Sequence, residues 1–463
     1  LATSSDAAGI EYIFELSDSD KYRQMKLIRQ SMAIPIKRWE LKENKINFLH
    51  TTKDELISKQ EMFKEAEQIY SEIVKMKYDV NSSEDIVWPK IQILPTTQWA
   101  FLPMDNTLYE GELGIAIFAA ALYLNRPKKE YAVIVERIIK FSELYEERYK
   151  YNNSLSAFTG DAAVAYCYYY LYLVFDKVQL REKALDHLLR CKEKIKDDES
   201  YDIIAGCAGT LIVALRIYDR EKDEQFLKLA MSCGNHLLEN VEESDNIFGW
   251  HTAAGNGVVL AGMSHGNAGI AWSLMELYKA TNCLEYYNCA QRAIEYEDLL
   301  YSKEDNNWTD LRSRENRIRK NFPEPVNWCH GAPGIGISRI FYQRLDDEKN
   351  YDDDIMHAMK KTLESGFGGS DCMCHGSFGN IEVLLLQFEK TKDIEIYNKI
   401  LSIVKVLKEE SKRTGWICGI PQRTKAAGFM TGLSGIGYGL LRCINPNKIP
   451  CVLSFDFPSQ DKD

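Results

Sequence analysis

No apolar run in this 463-residue chain is long enough to cross a bilayer. The longest, such as Leu113–Leu124, fall well short of the ~20 residues that a spanning helix needs. No positively charged segment followed by an apolar stretch opens the chain, so nothing reads as a secretory signal. Positive charge is in deficit: 57 Lys and Arg against 68 Asp and Glu leave a net charge of −11, which argues against a broad nucleic-acid footprint. An initiating methionine is also missing; the chain starts at Leu1, and the expectation is a processed or excised piece of a longer protein. The 12 cysteines do not make a disulfide scaffold at this length, and without a secretory signal they are expected to be mostly reduced. Cys167, Cys191, Cys207, Cys233, Cys283, Cys289, Cys443 and Cys451 sit in ordinary helical or tail contexts and read as packing residues.

What the chain has instead is repetition. Length alone suggests about three domains at ~150 residues each, but an internal repeat overrides that estimate. A pair of small residues three apart recurs as Gly111/Gly114, Gly160/Ala163, Gly206/Gly209, Gly266/Gly269, Gly331/Gly334, Gly376/Gly379 and Gly432/Gly435. First members are spaced by 49, 46, 60, 65, 45 and 56 residues, and an apolar helix-like run follows each pair. In the fourth run Ile270, Leu274, Leu277 and Tyr278 form a helical stripe. The stretches between pairs carry a more charged amphipathic helix, as in 182–195 and 398–410. Seven units of two helices predict an all-α protein of about 14 helices. Because the inner runs are apolar nearly all round, a closed α/α toroid suits them better than an open solenoid with polar caps. Such a ring gathers the glycines and the helix N-termini at one mouth, where their partial positive charge favours thiolates and other anions.

Three stretches lie outside that frame. Residues 1–95 read as a helical preamble, with helices over 20–32 and 52–76, the latter started by a Thr52/Glu55 capping box. The toroid itself is expected over 96–445, followed by a proline-containing tail over 446–463. Residues 303–326 form a charged insertion with Arg312, Arg314, Arg317, Arg319 and Lys320, readable as a solvated loop or as a lip that docks a peptide.

Two units share a distinctive phrase. Residues 327–334 read NWCHGAPG and residues 373–380 read MCHGSFGN, while SHGNAG at 264–269 keeps the His without the Cys. Cys329, Cys374 and His375 are therefore the candidate ligands of one zinc ion per chain. The 45-residue gap between the cysteines is no zinc-knuckle spacing; the argument rests on equivalent places in adjacent units. Three ligands leave a tetrahedral position open, as at catalytic zinc sites. Cys372 stands one place outside the phrase and is set aside as a bystander. His330 could be a ligand, an acid or a hydrogen-bonded neighbour. His265 shares the frame of the candidate ligands and is assigned a functional role. Asp202, four residues before Gly206, either caps the following helix or orients His265. His251 reads as structural, and His50, His187, His236 and His357 sit in ordinary polar contexts. Zinc held by two thiolates and an imidazole is a poor activator of water but can accept a third thiolate and lower its pKa, which points to thiolate transfer onto a carbon electrophile.

These residues carry a resemblance. Through all seven glycine pairs, over roughly 95–445, and above all through WCHGAPGIG and CHGSFGN, the chain resembles the LanC-like lanthionine cyclases. The segment LSDSDKYRQMKLIRQSM at 16–32 resembles the joint between dehydratase and cyclase in class II (LanM-type) lanthipeptide synthetases. The resemblance implies a C-terminal cyclase domain, covalently linked to an upstream dehydratase that converts Ser and Thr of a precursor peptide. A peptide Cys thiol would bind zinc on Cys329, Cys374 and His375, and add to dehydroalanine or dehydrobutyrine. His265 would match the family's acid/base and Asp202 its aspartate partner. A bacterial, cytoplasmic location is implied, with peripheral association with an export machinery. One departure stands out: the Arg and Tyr that stand-alone cyclases often carry near the first Cys are Pro325 and His330 here, which makes His330 a second candidate acid.

Rival readings are weaker. A zinc-dependent thiol prenyltransferase toroid usually adds a carboxylate ligand and a basic diphosphate pocket. A toroid glycosidase needs paired carboxylates, and near the glycine pairs only Asp202 and Glu110/Glu112 qualify. A non-catalytic thiol- or peptide-binding scaffold that kept its zinc is the remaining alternative.

Overall fold

A helix that is apolar on every side is stable only when other elements surround it. The computed structural model solves this with two concentric rings. It describes residues 25, 45–49, 55–80, 85–93, 99–149, 154–312, 323–346, 349–420 and 424–459. Among these, fourteen α-helices alternate between the rings. The outer ring holds α1 (Lys59–Met76), α3 (Lys129–Arg148), α5 (Val178–Arg190), α7 (Glu224–Glu239), α9 (Leu284–Leu299), α11 (Asp352–Ser365) and α13 (Ile394–Thr414). The inner ring holds α2 (Glu112–Asn125), α4 (Asp161–Phe175), α6 (Cys207–Glu221), α8 (Asn267–Thr281), α10 (Ala332–Leu345), α12 (Ser377–Thr391) and α14 (Leu433–Ile444). Each inner helix packs on its two inner neighbours, and α14 packs on α2 to close the circle. The inner helices are buried over most of their length, whereas the outer ones bury one stripe each. No helix among the described residues is long and apolar enough to cross a membrane.

The N-terminal stretch differs from its sequence reading in three ways. First, α1 is part of the double ring: it packs along α14 and supplies that inner helix with its outer partner. Second, α1 begins at Lys59 and not at 52. Ser58 accepts from the Glu61 amide at 3.1 Å while the Glu61 carboxylate accepts from the Ser58 amide at 3.1 Å. This reciprocal cap fixes the start where two backbone donors are satisfied at once; Glu55 lies outside the helix, and Thr52 lies outside the described residues. Third, the described residues between 78 and 103 are not helical. They form two antiparallel pairs, β1 (Tyr78–Val80) with β2 (Asp85–Val87) and β3 (Pro89–Ile93) with β4 (Trp99–Pro103). Shorter pairs, β5 (Glu242–Ser244) with β6 (Ile247–Gly249) and β7 (Tyr301–Ser302) with β8 (Asn307–Trp308), decorate outer loops. The expected helix over 20–32 and the linker-like segment 16–32 lie outside the described residues, save for Met25, which is helical.

The described residues after 445 pack against the rings. Ile449, Val452, Leu453 and Phe455 are fully buried. Phe455 packs its ring on Phe158 (5.0 Å between centroids) and Tyr166 (5.4 Å). The buried Arg442 guanidinium donates to the Pro446 and Ile449 carbonyls, at 2.6 and 3.0 Å, and pairs with Glu389 at 2.9 Å. The segment thus fills the axis of the ring from the end where the inner helices finish.

The glycine pairs have distinct jobs. The first member is the N-cap of each inner helix, made without a side-chain cap. The second lies against the carbonyl oxygen six residues earlier: Gly379 on Met373, Gly435 on Phe429, Gly334 on Trp328. A Cβ at any of these would overlap that oxygen, so these crossings need glycine, whereas the second unit makes its crossing with Ala163.

That crossing sets up a belt. The residue two before each capping glycine donates its N–H to the carbonyl of its counterpart in the next unit. Ile204 donates to Ser264 (3.4 Å), Ser264 to Cys329 (3.3 Å), Cys329 to Cys374 (3.3 Å) and Cys374 to Met430 (2.9 Å). Met430 donates to Tyr109 (2.8 Å) and Tyr109 to Phe158 (3.0 Å). The seventh link runs through a side chain: the Phe158 amide donates to the Ser156 hydroxyl, which donates to the Ile204 carbonyl.

Gly435→Ala should therefore lower the midpoint of thermal unfolding by the equivalent of about 1–3 kcal/mol of overpacking. Gly369→Ala, where a Cβ meets nothing within 4 Å, should stay within about 0.5 kcal/mol of wild type. Equal midpoints for the two variants would refute the crossing as the reason for the repeat.

Candidate metal and catalytic site

The belt brings the candidate ligands together. Cys329 and Cys374 occupy adjacent links, and their thiols lie in mutual hydrogen-bonding contact. That contact first, and burial second, push the Cys374 thiol well above the ordinary range. His375 follows Cys374, and its Nε2 meets the Gly419 carbonyl at 2.8 Å. With Nε2 donating to that carbonyl, Nδ1 is the nitrogen that would face a metal once its proton is displaced. Burial disfavours the charged form of His375, yet the hydrogen-bonding sulphurs of Cys372 and Cys374 outweigh it and hold its pKa at about 11. Among the described residues no three His, Cys, Asp or Glu side chains already stand as a metal-holding group; the pairwise contacts and the donor chemistry are what the structure offers. A proton shared between imidazole and sulphurs is what a divalent cation displaces on binding, so the donor set fits zinc.

Cys372, set aside in the sequence, is part of the wall of this site. It is fully buried, with Sγ 3.4 Å from the Ser370 hydroxyl and within reach of the His375 ring. Gly419 faces the same two groups, and a Cβ there would collide with both. Three participants were missed in the sequence: Cys418 and Gly419, on a loop stitched to Asp371 and Thr431, and Tyr109, whose hydroxyl donates to the Cys374 sulphur at 3.0 Å. Tyr109 stands two residues before Gly111, as Cys329 stands two before Gly331, so the repeat frame carried the signal. A cleft of about 580 Å3 opens beside His375, bordered by Asn327, Gly369, Ser370 and Ile420.

On the other side of Cys329, Asp202 and His265 meet. Asp202 Oδ2 is 2.7 Å from His265 Nδ1, and Oδ1 accepts from the Ala205 amide at 2.7 Å. Asp202 is 1% exposed and the His265 side chain 24%, so the carboxylate is sealed while the imidazole remains open to solvent. Asp202 does not cap α6: its Oδ1 holds the turn at Ala205, the capping Gly206 has no side chain, and the first helical amide, of Cys207, donates to Asp198 at 2.8 Å. Its Oδ2 holds His265. A carboxylate on Nδ1 selects the tautomer that leaves Nε2 free for proton exchange.

His330 stacks on His265 with centroids 5.7 Å apart and planes 24° apart. It is buried, and neither ring nitrogen makes a well-formed hydrogen bond. Burial, then the positive charge of Arg312, hold its pKa down at about 3. It is therefore a neutral ring at physiological pH, ill suited to deliver a proton as an imidazolium. Arg312 pairs with Asp310 at 2.9 Å, while Arg314, Arg317, Arg319 and Lys320 lie outside the described residues. Of the remaining histidines, His187 is buried between Asp161 (2.8 Å) and Glu146 (3.2 Å), His251 pairs with Glu242, His236 meets the Asp198 carbonyl, and His357 stacks on Tyr301. His50 lies outside the described residues.

With this geometry in view, likeness to known proteins identifies the family. Residues 102–454 match the family model described as lanthionine synthetase C-like protein. That is more than half of the chain, and the chain belongs to this family. It is 25% identical over 448 residues to the lacticin 481/lactococcin biosynthesis protein of Lactococcus lactis subsp. lactis, covering 91% of this chain and 45% of that protein. The chain thus spans about half the length of this relative. Among solved structures it is similar to a nisin cyclase, with a TM-score of 0.60 at 19% identity, covering 83% of this chain and 93% of that one. This likeness bears out the α/α toroid.

The pKa of His330 has a measurable consequence. An unfolded His titrates near ~6.5, so the depressed folded value makes the neutral ring the preferred folded form. Its contribution is present above pH ~6.5 and is lost as pH falls toward 3. His330→Phe should lose less thermal stability than wild type between pH 7 and pH 4.5. Parallel losses in the two proteins would show that His330 does not titrate in this way.

Proposed function

We propose that the chain performs the ring-closing step of lanthipeptide maturation: zinc-dependent addition of peptide Cys thiolates to dehydroalanine or dehydrobutyrine, giving lanthionine or methyllanthionine. The observation that carries this reading is the meeting of Cys329, Cys374 and His375 on adjacent belt links, beside the Asp202–His265 pair. Zinc held by Cys329, Cys374 and His375 would supply the charge that keeps a peptide thiol deprotonated at neutral pH.

The chain's own residues do the rest. The sulphur–β-carbon bond forms as the alkene π pair moves toward the α-carbon and its carbonyl. His265, held in one orientation and tautomer by Asp202 on Nδ1, hands a proton from Nε2 to that α-carbon. His330 backs the His265 ring with a neutral, apolar face. The cleft beside His375 gives the peptide room to bring sulphur and alkene together, and proximity within one bound chain supplies much of the rate. The length of the relative supports a covalently linked upstream domain, for which we propose the dehydratase role, with residues 16–32 as the joint.

Elemental analysis should find about one zinc per chain in wild type and a large drop in Cys374→Ala. His265→Ala should keep its zinc yet consume peptide thiol roughly 100–1000-fold more slowly, the usual loss for a general acid or base. Ring closure leaves peptide mass unchanged, so thiol alkylation is the readout. Absence of zinc from wild type would leave a peptide-binding scaffold in place of an enzyme, and an unchanged rate in His265→Ala would remove that residue from the mechanism.

A further inference from the structure

A dehydroalanine or dehydrobutyrine side chain reacts with any accessible thiolate. In the mechanism proposed above it enters a mouth that holds the substrate sulphur and, in contact with each other, those of Cys329 and Cys374. If Cys374 reacted instead of the substrate, a Cys374 Sγ–β-carbon bond would form, the alkene π pair would take a proton at the α-carbon, and the peptide would end as a thioether on the protein. One such event would destroy the site, so repeated turnover requires the protein's sulphurs to be poorer nucleophiles than the substrate's.

We propose that Tyr109 is a positioning residue that quiets Cys374: its hydroxyl donates a hydrogen bond to that sulphur, so that the electrophile is met by the substrate thiol. The inference rests on the zinc reading of this site. The O···S distance is 3.0 Å, and Cys329 and Cys372 also lie close enough to act on the same hydroxyl. The bond is held from behind. Tyr109 is itself a belt residue: its amide donates to Phe158 at 3.0 Å, and its carbonyl accepts from Met430 at 2.8 Å and Phe429 at 3.1 Å. Its ring meets Phe158 edge to face at 6.1 Å; Phe158 in turn lies 6.0 Å from Trp328, the neighbour of Cys329, and 5.0 Å from Phe455 of the C-terminal segment. The hydroxyl therefore reaches from one belt link, past Met430, to the sulphur two links away. A donor to a metal-bound sulphur draws on the lone pairs that would otherwise attack an electrophile, and such outer partners tune ligands as much as they orient them.

The test uses the zinc-loaded full chain as wild type, Tyr109→Phe and Tyr170→Phe. The last removes a buried hydroxyl that faces Tyr438, away from the site. Each is treated with iodoacetamide, and alkylation is mapped by mass spectrometry. Cys374 labelling should be about fivefold faster in Tyr109→Phe, the factor that corresponds to the net worth of one neutral hydrogen bond, with starting zinc content and thermal midpoint unchanged. Tyr170→Phe should match wild type. In the cobalt-substituted chains the sulphur-to-metal charge-transfer band should move to lower energy in Tyr109→Phe alone, a shift that simple loosening of packing does not produce. Tyr109→Met takes the place of the Phe variant should the latter fail to fold. Equal Cys374 labelling in zinc-bearing wild type and variant overturns the role of Tyr109 and leaves the zinc reading intact; wild type without zinc defeats that reading first.

Discussion

The belt of backbone hydrogen bonds at the mouth of the ring is the constraint on which the rest depends. In six of seven units the N–H at the equivalent place is matched to a carbonyl in the next, and in the seventh the Ser156 hydroxyl bridges the gap, so seven loops of very different sequence are held at one level. A buried, unpaired backbone donor or acceptor costs about 1–3 kcal/mol, so the register of each inner helix against its neighbours is strongly determined. Once the level is fixed, side-chain chemistry becomes a matter of which residue stands at each link. Cysteine at two adjacent links gives a pair of touching sulphurs; tyrosine two links further on gives a donor to one of them; serine at another bonds to the carbonyl of Cys329.

The position just before each capping glycine shows how far environment decides role. Histidine stands there in three units, as His265, His330 and His375, with extended backbone at the next residue for the first and last and a positive φ at Gly331 after His330. His265 has a sealed carboxylate on one nitrogen and solvent near the ring. His330 is wrapped by neighbours that give its ring nitrogens no well-formed hydrogen bond, and it is held neutral. His375 lies between sulphurs and a backbone carbonyl. The sequence frame shows that the three are equivalent; only packing shows that they are electrostatically different.

Much of the architecture was legible because the glycine pairs mark a steric limit: at six of the seven crossings a Cβ would overlap the carbonyl oxygen six residues earlier, Ala163 being the exception. The inner helices and the two cysteine–histidine phrases follow from that mark. The outer helices leave no comparable signature, so α1 read as a preamble when it is the outer partner of α14. The start of that helix was misplaced because two capping patterns compete over 52–61, and a linear pattern does not tell which pair of donors will be satisfied. The strand pairs between 78 and 103 were missed although Asn81-Ser82-Ser83 and Pro95-Thr96-Thr97 are loop-forming sequences, because the whole stretch before the first glycine pair was read as helical. Tyr109 was overlooked because an aromatic before an apolar helix ordinarily reads as core, and Gly419 because it touches the site from a loop far away in sequence.

The placement of α1 also governs the order of assembly. More than 350 residues separate its end at Met76 from the start of α14 at Leu433. During synthesis at roughly 5–20 residues per second, α1 waits about 20–70 s for the helix that it covers. Over that interval Met62, Phe63, Ala66, Ile69 and Ile73, all buried in the finished ring, have no α14 to pack on. The earliest described helix of the toroid to leave the ribosome thus waits longest for its partner, and a ring that stops short of 433 lacks the helix that joins α12 to α2 and covers α1.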